Sequence, residues 1–112
     1  MTYRSDDEKQ RERIKKAMQS IADVGGRDYM FRQLAEECAE LTQAALKFVR
    51  LENKETPKSA DEVIRQFLEE IADVRIMLDI VETACISGSL RDEITEIYHE
   101  KLNRFRSRVI PL

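Results

Sequence analysis

The 112-residue chain has no tryptophan, one histidine, three glycines and two prolines, and it shows no surplus of positive charge. Few glycines and prolines leave few places for tight turns, which favours long helices over many short strands. A formal net charge of −3 argues against a general nucleic-acid binder. No apolar run approaches the roughly 18 residues of a membrane span, and residues 1–13 lack the apolar region of a signal peptide. We therefore expect a cytoplasmic protein with neither a membrane nor a nucleic-acid polymer as partner.

Cysteine is also scarce, with Cys38 and Cys85 the only two in the sequence. Both fall on apolar faces of expected helices, and no secretory signal favours oxidation. We predict two buried free thiols and no disulfide. The length allows one domain, and 42% hydrophobic residues suffice for a helical core. The sequence thus predicts a single all-α domain over residues 1–112.

Start and stop signals divide this domain into four predicted helices. The first is polar, begins at a capping box at Ser5 and ends at the Gly25-Gly26 pair, so that it lies within residues 1–27. Residues 28–109 carry the others. These run from about residue 28 to 52, from a second capping box at Ser59 to about Ile86, and from an N-cap at Ser89 to a point before Pro111.

The last three predicted helices each carry an apolar stripe of helical period, which we expect to be buried. From Ile76 onward the third helix is apolar on almost every side and needs partners all round. This indicates a homo-oligomer, a dimer or tetramer, of protomers resembling a four-helix bundle. The stripes comprise Phe31, Leu34, Cys38, Leu41, Ala45, Phe48 and Val49, then Ile64, Phe67, Ile71, Val74 and Leu78, then Leu90, Ile94, Ile97, Tyr98, Phe105 and Val109.

Two pairs of acidic residues flank these stripes: Glu37 with Glu40, and Glu70 with Asp73. Each pair is spaced i, i+3, so both carboxylates lie on one side of their helix. A carboxylate beside a core is costly unless a positive charge meets it. Oxygen ligands in this layout suit Mg²⁺, with Mn²⁺ as a substitute, and such ions activate water and polarise phosphoryl oxygens. We therefore predict a metal-assisted reaction on phosphates.

Basic residues on the fourth helix are candidates for holding those phosphates. Lys101 lies within the apolar stripe, and Arg104 and Arg108 follow at i+3 and i+7. Lysine and arginine donate hydrogen bonds to phosphate oxygens. The simpler interpretation is that all three are surface charges which favour the carboxyl end of a helix.

The acidic pattern resembles a known family. Glu36-Glu37-x-x-Glu40 followed by Glu70-x-x-Asp73, with similar sequence around both and at residues 101–105, resembles the MazG-like, all-α nucleoside triphosphate pyrophosphohydrolases over residues 29–108. The resemblance implies hydrolysis of a nucleoside triphosphate to the monophosphate and pyrophosphate. It implies that Glu37, Glu40, Glu70 and Asp73 are the Mg²⁺ ligands. It also implies a supporting or water-orienting role for Glu36.

The same resemblance bears on substrate binding. It places Lys101 and Arg104 near the phosphates, with a reach across a subunit interface, while Arg108 lies beyond the motif. Tryptophan, which some relatives use to stack on a base, is absent, so Tyr29, Phe31 or Tyr98 would have to replace it. Tyr29 and Gln33 are the candidates for base binding. The base stays open, and phosphoribosyl-ATP or dUTP remain alternatives.

Two rival interpretations accompany this one. Glu96 and His99 form a Glu-x-x-His step of the kind that binds di-iron in helical bundles, but that site needs two such steps. We interpret His99 as a surface residue. Alternatively, the chain is a non-enzymatic helical interaction module whose acids serve solubility. Stabilisation by millimolar Mg²⁺ would distinguish the enzyme from the module.

Overall fold

The computed structural model describes residues 5–110, which form three α-helices and no strand: α1 (Asp6–Glu52), α2 (Ala60–Cys85) and α3 (Gly88–Val109). The all-α prediction is confirmed. α1 and α2 form an antiparallel pair. The Phe48 and Phe67 rings meet edge to face near the connecting loop, with centroids 5.6 Å apart, and Met30 packs near Met77 at the other end.

The helix ends follow from local capping. The Ser5 hydroxyl accepts a hydrogen bond from the backbone N–H of Glu8, at 3.2 Å, and Ser59 accepts one from Glu62, at 3.3 Å. Both predicted N-caps are therefore confirmed. The prediction for the last helix is wrong, because its N-cap is Ser87 rather than Ser89. Ser87 has the extended backbone of a cap and accepts from Leu90, whereas Ser89 is already helical. Pro111 lies outside the described residues.

The Gly25-Gly26 pair, where the sequence predicts the end of the first helix, forms a kink that interrupts α1. Gly26 has φ +84° and ψ 167°, a conformation that is essentially restricted to glycine, while the residues on either side remain helical. The kink divides α1 into a first segment, residues 6–25, and a second segment, residues 27–52. The predicted first two helices therefore correspond to these two segments of α1, which meet at the predicted position.

The largest cluster of buried side chains lies where the first segment of α1 meets the C-terminal half of α2. Partly buried apolar side chains, including Met18, Leu34 and Cys85, pack around it. The kink thus directs the first segment against α2, close to the acidic residues. The buried members of the cluster are Ala22, Met30, Met77, Ile80 and Val81.

Parts of the predicted stripes on α1 and α2 are not buried, and those predictions are wrong for the single chain. Each helix of the pair has one principal neighbour, so only a narrow strip centred on Ala44, Val63 and Val74 is covered. Cys38 is exposed and Cys85 is half-buried, and both thiols are free. The exposed stripe residues are Phe31, Cys38, Val49, Ile64 and Leu78.

The stripe predicted to be buried on α3 is exposed along its whole length, because α3 packs extensively against neither α1 nor α2. The chain is correspondingly extended. Its radius of gyration is 18.2 Å, against about 13 Å for a compact domain of this length. Its accessible surface is 9291 Å², against about 6,400 Å² expected for its mass. No described helix combines the length and the apolar character that crossing a bilayer requires.

Candidate metal centre

Four carboxylates converge between the second segment of α1 and the middle of α2. Glu37 and Glu40 come from α1, and Glu70 and Asp73 come from α2; one oxygen from each lies within 4.8 Å of the others. The i, i+3 spacing aligns each pair on successive turns, and the antiparallel arrangement sets the two pairs opposite each other. The structure therefore brings together the four residues that the sequence singles out as ligands. We call them the acidic cluster.

Two oxygens of the acidic cluster are buried without a hydrogen-bond donor. They are the Oε2 atoms of Glu37 and Glu70, and no described residue donates to either. Glu37 Oε1 accepts a hydrogen bond of 2.9 Å from the Gln33 side-chain amide, which fixes the carboxylate in place. A buried anionic oxygen without a donor is costly, and such atoms are rare in folded proteins. A cation between the two helices would satisfy both oxygens.

The charges in the acidic cluster oppose one another. Burial raises the pKa of the Glu37 carboxyl above its ordinary value, and the negative charges of Asp73 and Glu40 add to this, while the Gln33 hydrogen bond works against it. The negative charge of Glu70 raises the pKa of Glu40, followed by burial and by the charges of Glu36 and Asp73. The cluster is thus a site of negative charge with no basic partner among the described residues.

The donor set selects the kind of ion. Carboxylate oxygens without histidine or cysteine suit hard cations such as Mg²⁺, Mn²⁺ or Ca²⁺. Two ligands on opposite sides of one Mg²⁺ lie about 4.2 Å apart. A cluster spanning 4.8 Å therefore needs only a small closing movement to hold one ion. The residues present fit a hard divalent cation.

A cavity of about 200 Å³ opens beside the acidic cluster. Tyr29 and Gln33, the two candidates for base binding, line it together with Glu37 and Asp73. The remaining walls are apolar, so the cavity has an acidic side and an apolar side. Ile21, from the first segment of α1, was missed by the sequence reasoning. Ile14, Met18 and Ile21 are apolar residues at helical spacing, and this pattern could have identified Ile21 as part of a packed helix face. The apolar walls are Ile21, Ile76, Met77 and Ile80.

Comparisons with models of protein families, with curated proteins and with solved structures find no match. Functional inference for this chain therefore depends on its own residues and their geometry.

The other predicted site residues lie outside the acidic cluster. Glu36 is exposed on α1, one turn before Glu40, and is not among the four converging groups. Lys101, Arg104 and Arg108 are exposed on α3, and no ion pair joins them to the cluster within the described residues. The Arg108 guanidinium instead lies 5.5 Å from the centroid of the Phe105 ring. The single chain does not bring the basic residues to the acids.

The predicted surface position of His99 agrees with the structure. His99 and Glu96 are exposed on α3, and the imidazole meets the Tyr98 ring edge to face at 5.7 Å. Within the part of the chain described, neither belongs to a group of metal-ligating side chains.

Proposed function

We propose that the chain is a Mg²⁺-dependent nucleoside triphosphate pyrophosphohydrolase, which converts a ribo- or deoxynucleoside triphosphate to the monophosphate and pyrophosphate. The observation that carries the proposal is the acidic cluster, in which two buried oxygens lack donors. The adjoining cavity, with one acidic and one apolar side, supports it, because a nucleotide presents phosphates and a base at its two ends. The resemblance to MazG-like enzymes names the same four carboxylates.

In this proposal Glu37, Glu40, Glu70 and Asp73 hold the ion. When bound, a divalent cation polarises phosphoryl oxygens and makes water a better nucleophile. Gln33 keeps Glu37 in place through its amide hydrogen bond. The water oxygen forms a bond to one phosphorus of the anhydride between the α- and β-phosphates, and the bridging P–O bond breaks, so that the monophosphate and pyrophosphate separate. One proton of the water passes to a carboxylate. Glu36, exposed next to the acidic cluster, is the candidate to accept it.

We further propose that the protein works as a homo-oligomer, a dimer or a tetramer. Exposed apolar side chains on α1 and α2 lie about 60–140° round each helix from the buried strip. Because the helices are antiparallel, side chains displaced by the same angle in the same sense around α1 and around α2 lie on the same side of the pair. We call this side the apolar face. It comprises Phe31, Val49, Ile64, Leu68 and Leu78.

The position of α3 also favours a second copy. Its exposed stripe lies on the side of the helix that carries Lys101, Arg104 and Arg108. That surface is apolar at one end and positive at the other, so it complements a surface that is apolar and acidic. A second copy provides both properties, and in the oligomer the basic residues would meet a neighbour's phosphates rather than those of their own chain.

The test is pyrophosphate release from a panel of ribo- and deoxynucleoside triphosphates, with Mg²⁺ and with a chelator. We expect Mg²⁺-dependent release with the monophosphate as co-product.

Glu40→Gln and Asp73→Asn should abolish turnover with circular dichroism and oligomeric state unchanged, whereas Glu100→Gln, an exposed acid on α3, should leave it intact. Lys101→Ala should impair triphosphate use more than metal binding. Orthophosphate release would contradict the proposed cleavage site.

One alternative is supported by a specific observation. The wholly exposed α3 stripe also suits a non-enzymatic helical interaction module. Thermal unfolding with millimolar Mg²⁺ separates the two. A cation bound only by the folded state stabilises it, by about 2.7 kcal/mol at a hundredfold excess over the dissociation constant. We expect a Mg²⁺-dependent rise in Tm that Asp73→Asn removes, and an unchanged Tm would favour the module.

A further inference from the structure

A second cavity extends the first one away from the acidic cluster. It measures about 360 Å³ and shares Ile21 and Tyr29 with the 200 Å³ cavity beside Glu37 and Asp73. The two cavities are therefore adjacent, and we call them together the Tyr29 cleft. Its outer part contains no charged side chain and is open to solvent at Val24, which is 90% exposed. The outer part is lined by Ser20, Ile21, Val24, Gly25 and Tyr29.

The place of the Tyr29 ring in this cleft depends on Gly25. A Cβ atom at residue 25 would lie 2.5 Å from Cδ1 of Tyr29, closer than real Cβ atoms approach, and a tight 3.1 Å from its Cε1. The backbone of Gly25 is helical and has no positive φ, so it would accept any residue with a side chain. The tyrosine ring is thus the obstacle to a side chain there. The missing Cβ lets the ring lie against α1.

The chemistry of the Tyr29 cleft suits a flat, uncharged group at its outer end. An aromatic ring and aliphatic side chains stack on planar rings with little dependence on their identity. A phosphate would find no basic partner there, whereas the inner end, at Glu37 and Asp73, is where a cation and its phosphates would lie. The distribution of polarity along the cleft therefore matches a nucleotide with its base outward.

The resemblance already makes Tyr29 a candidate for base binding. On the basis of the proposed function and of that role, we propose that Gly25 positions the Tyr29 ring as the stacking surface for a nucleobase in the Tyr29 cleft. Gly25 is a positioning residue, which acts by leaving room for the Tyr29 ring. Ile21, from the first segment of α1, is the other residue that lines both cavities. The kink at Gly26 thereby builds a base site next to the acidic cluster.

The test compares Gly25→Ala, Tyr29→Ala and the double variant, with Gly88→Ala as the matched control because a Cβ at residue 88 meets open space. KM and kcat are measured for nucleoside triphosphates and for inorganic triphosphate, which has no base. Tyr29→Ala should raise KM for the nucleotides about 5- to 150-fold, the range for loss of one base–aromatic stack. Gly25→Ala should raise it less, and KM for inorganic triphosphate should not change.

The double variant decides whether Gly25 acts through Tyr29. We expect Gly25→Ala to have no further effect once Tyr29 is alanine, and an equal effect in both backgrounds would overturn the positioning role. Circular dichroism checks that each variant folds; if Gly25→Ala does not, Ile21→Ala tests the other side chain that lines both cavities. Turnover indifferent to both Tyr29→Ala and Ile21→Ala would refute the base site and leave the proposed function standing. Absence of turnover with every nucleotide would remove both.

Discussion

Glu37 lies where a carboxylate is least stable without a cation. One of its oxygens accepts a hydrogen bond from Gln33, and the other is buried with no donor among the described residues. Burial and neighbouring acids raise its pKa from the ordinary value of 4.5. The folded state therefore binds a proton here more tightly than the unfolded chain does. Without a cation, this group makes stability fall as the pH rises above its ordinary pKa.

Glu37→Gln should reverse that penalty. In the glutamine, the side-chain oxygen still accepts the hydrogen bond from Gln33. The buried Oε2, which lacks a donor in Glu37, becomes an NH₂ group that faces the other carboxylates. In chelator at pH 7, we expect stabilisation by about 1 kcal/mol, or about 4–6 °C in Tm, which diminishes towards pH 4. Thermal melts across this pH range measure it. Glu100→Gln is the control, and a destabilised Glu37→Gln protein at pH 7 would contradict the account.

The affinity for divalent cations should rise with pH, whereas stability without a cation falls. Binding needs ionised carboxylates, and the raised pKa values of Glu37 and Glu40 mean that protons compete with the ion. Affinity for Mn²⁺ should therefore rise with pH above about 4.5. Titration calorimetry at several pH values tests this prediction. An affinity independent of pH between 4.5 and 7 would place the ion elsewhere.

At the scale of single residues, the sequence was informative where the spacing of residues along a helix determines the direction of their side chains. The i, i+3 pairs predicted four residues that the fold brings together, because helical periodicity fixes the direction of each side chain. The exposure of Cys38 was not predictable in the same way. Cys38 lies on an apolar stripe, but which part of a stripe a neighbour covers depends on how the helices pack.

At the scale of the helices, the kink at Gly26 determines where the first segment of α1 lies. Gly26 has φ +84° and ψ 167°, and side chains at such a conformation cost about 1–3 kcal/mol. Gly26→Ala should therefore destabilise the protein by about that amount. Gly88→Ala, at a helical position with open space, should be neutral or slightly stabilising.

Urea denaturation of the two alanine variants makes this comparison, with the midpoint as the readout and the slope as a check on two-state unfolding. Equal stabilities would contradict the cost assigned to a side chain at Gly26, because straightening α1 to avoid that conformation would also expose Ala22, which is buried with Met77 and Ile80.

Helix boundaries illustrate what the sequence could and could not specify. The caps at Ser5 and Ser59 were predictable because each begins a capping box, with an acidic first turn and a glutamate three residues on. The choice between Ser87 and Ser89 was not, since Gly88 lies between two residues with the same capping chemistry. The structure has Ser87 as the cap, with the Ser89 hydroxyl 3.2 Å from that of Ser87.

At the scale of the whole molecule, the single chain leaves too much apolar surface uncovered. It exposes about 2,900 Å² more than a compact protein of its mass, and α3 contributes no buried residue. A standard interface buries about 800 Å² on each partner. The excess is therefore large enough for an extensive interface between copies, involving both the apolar face and α3. Composition and periodicity predicted these apolar stripes, but they could not show which parts of them a single chain would leave exposed.

Self-association should depend on the apolar face. Leu68→Glu places a charge at the centre of that face and should weaken association by at least about tenfold, since burying an unpaired carboxylate costs more than 1.4 kcal/mol. Gln43→Glu adds the same charge at an exposed position on α1 outside the face and should have little effect. Sedimentation equilibrium over a range of concentrations measures both. A wild-type chain that stays monomeric at every concentration would refute the proposed homo-oligomer. Dissociation of Leu68→Glu together with loss of turnover, while Mn²⁺ binding persists, would show that the acidic cluster forms in one chain and needs a second for catalysis.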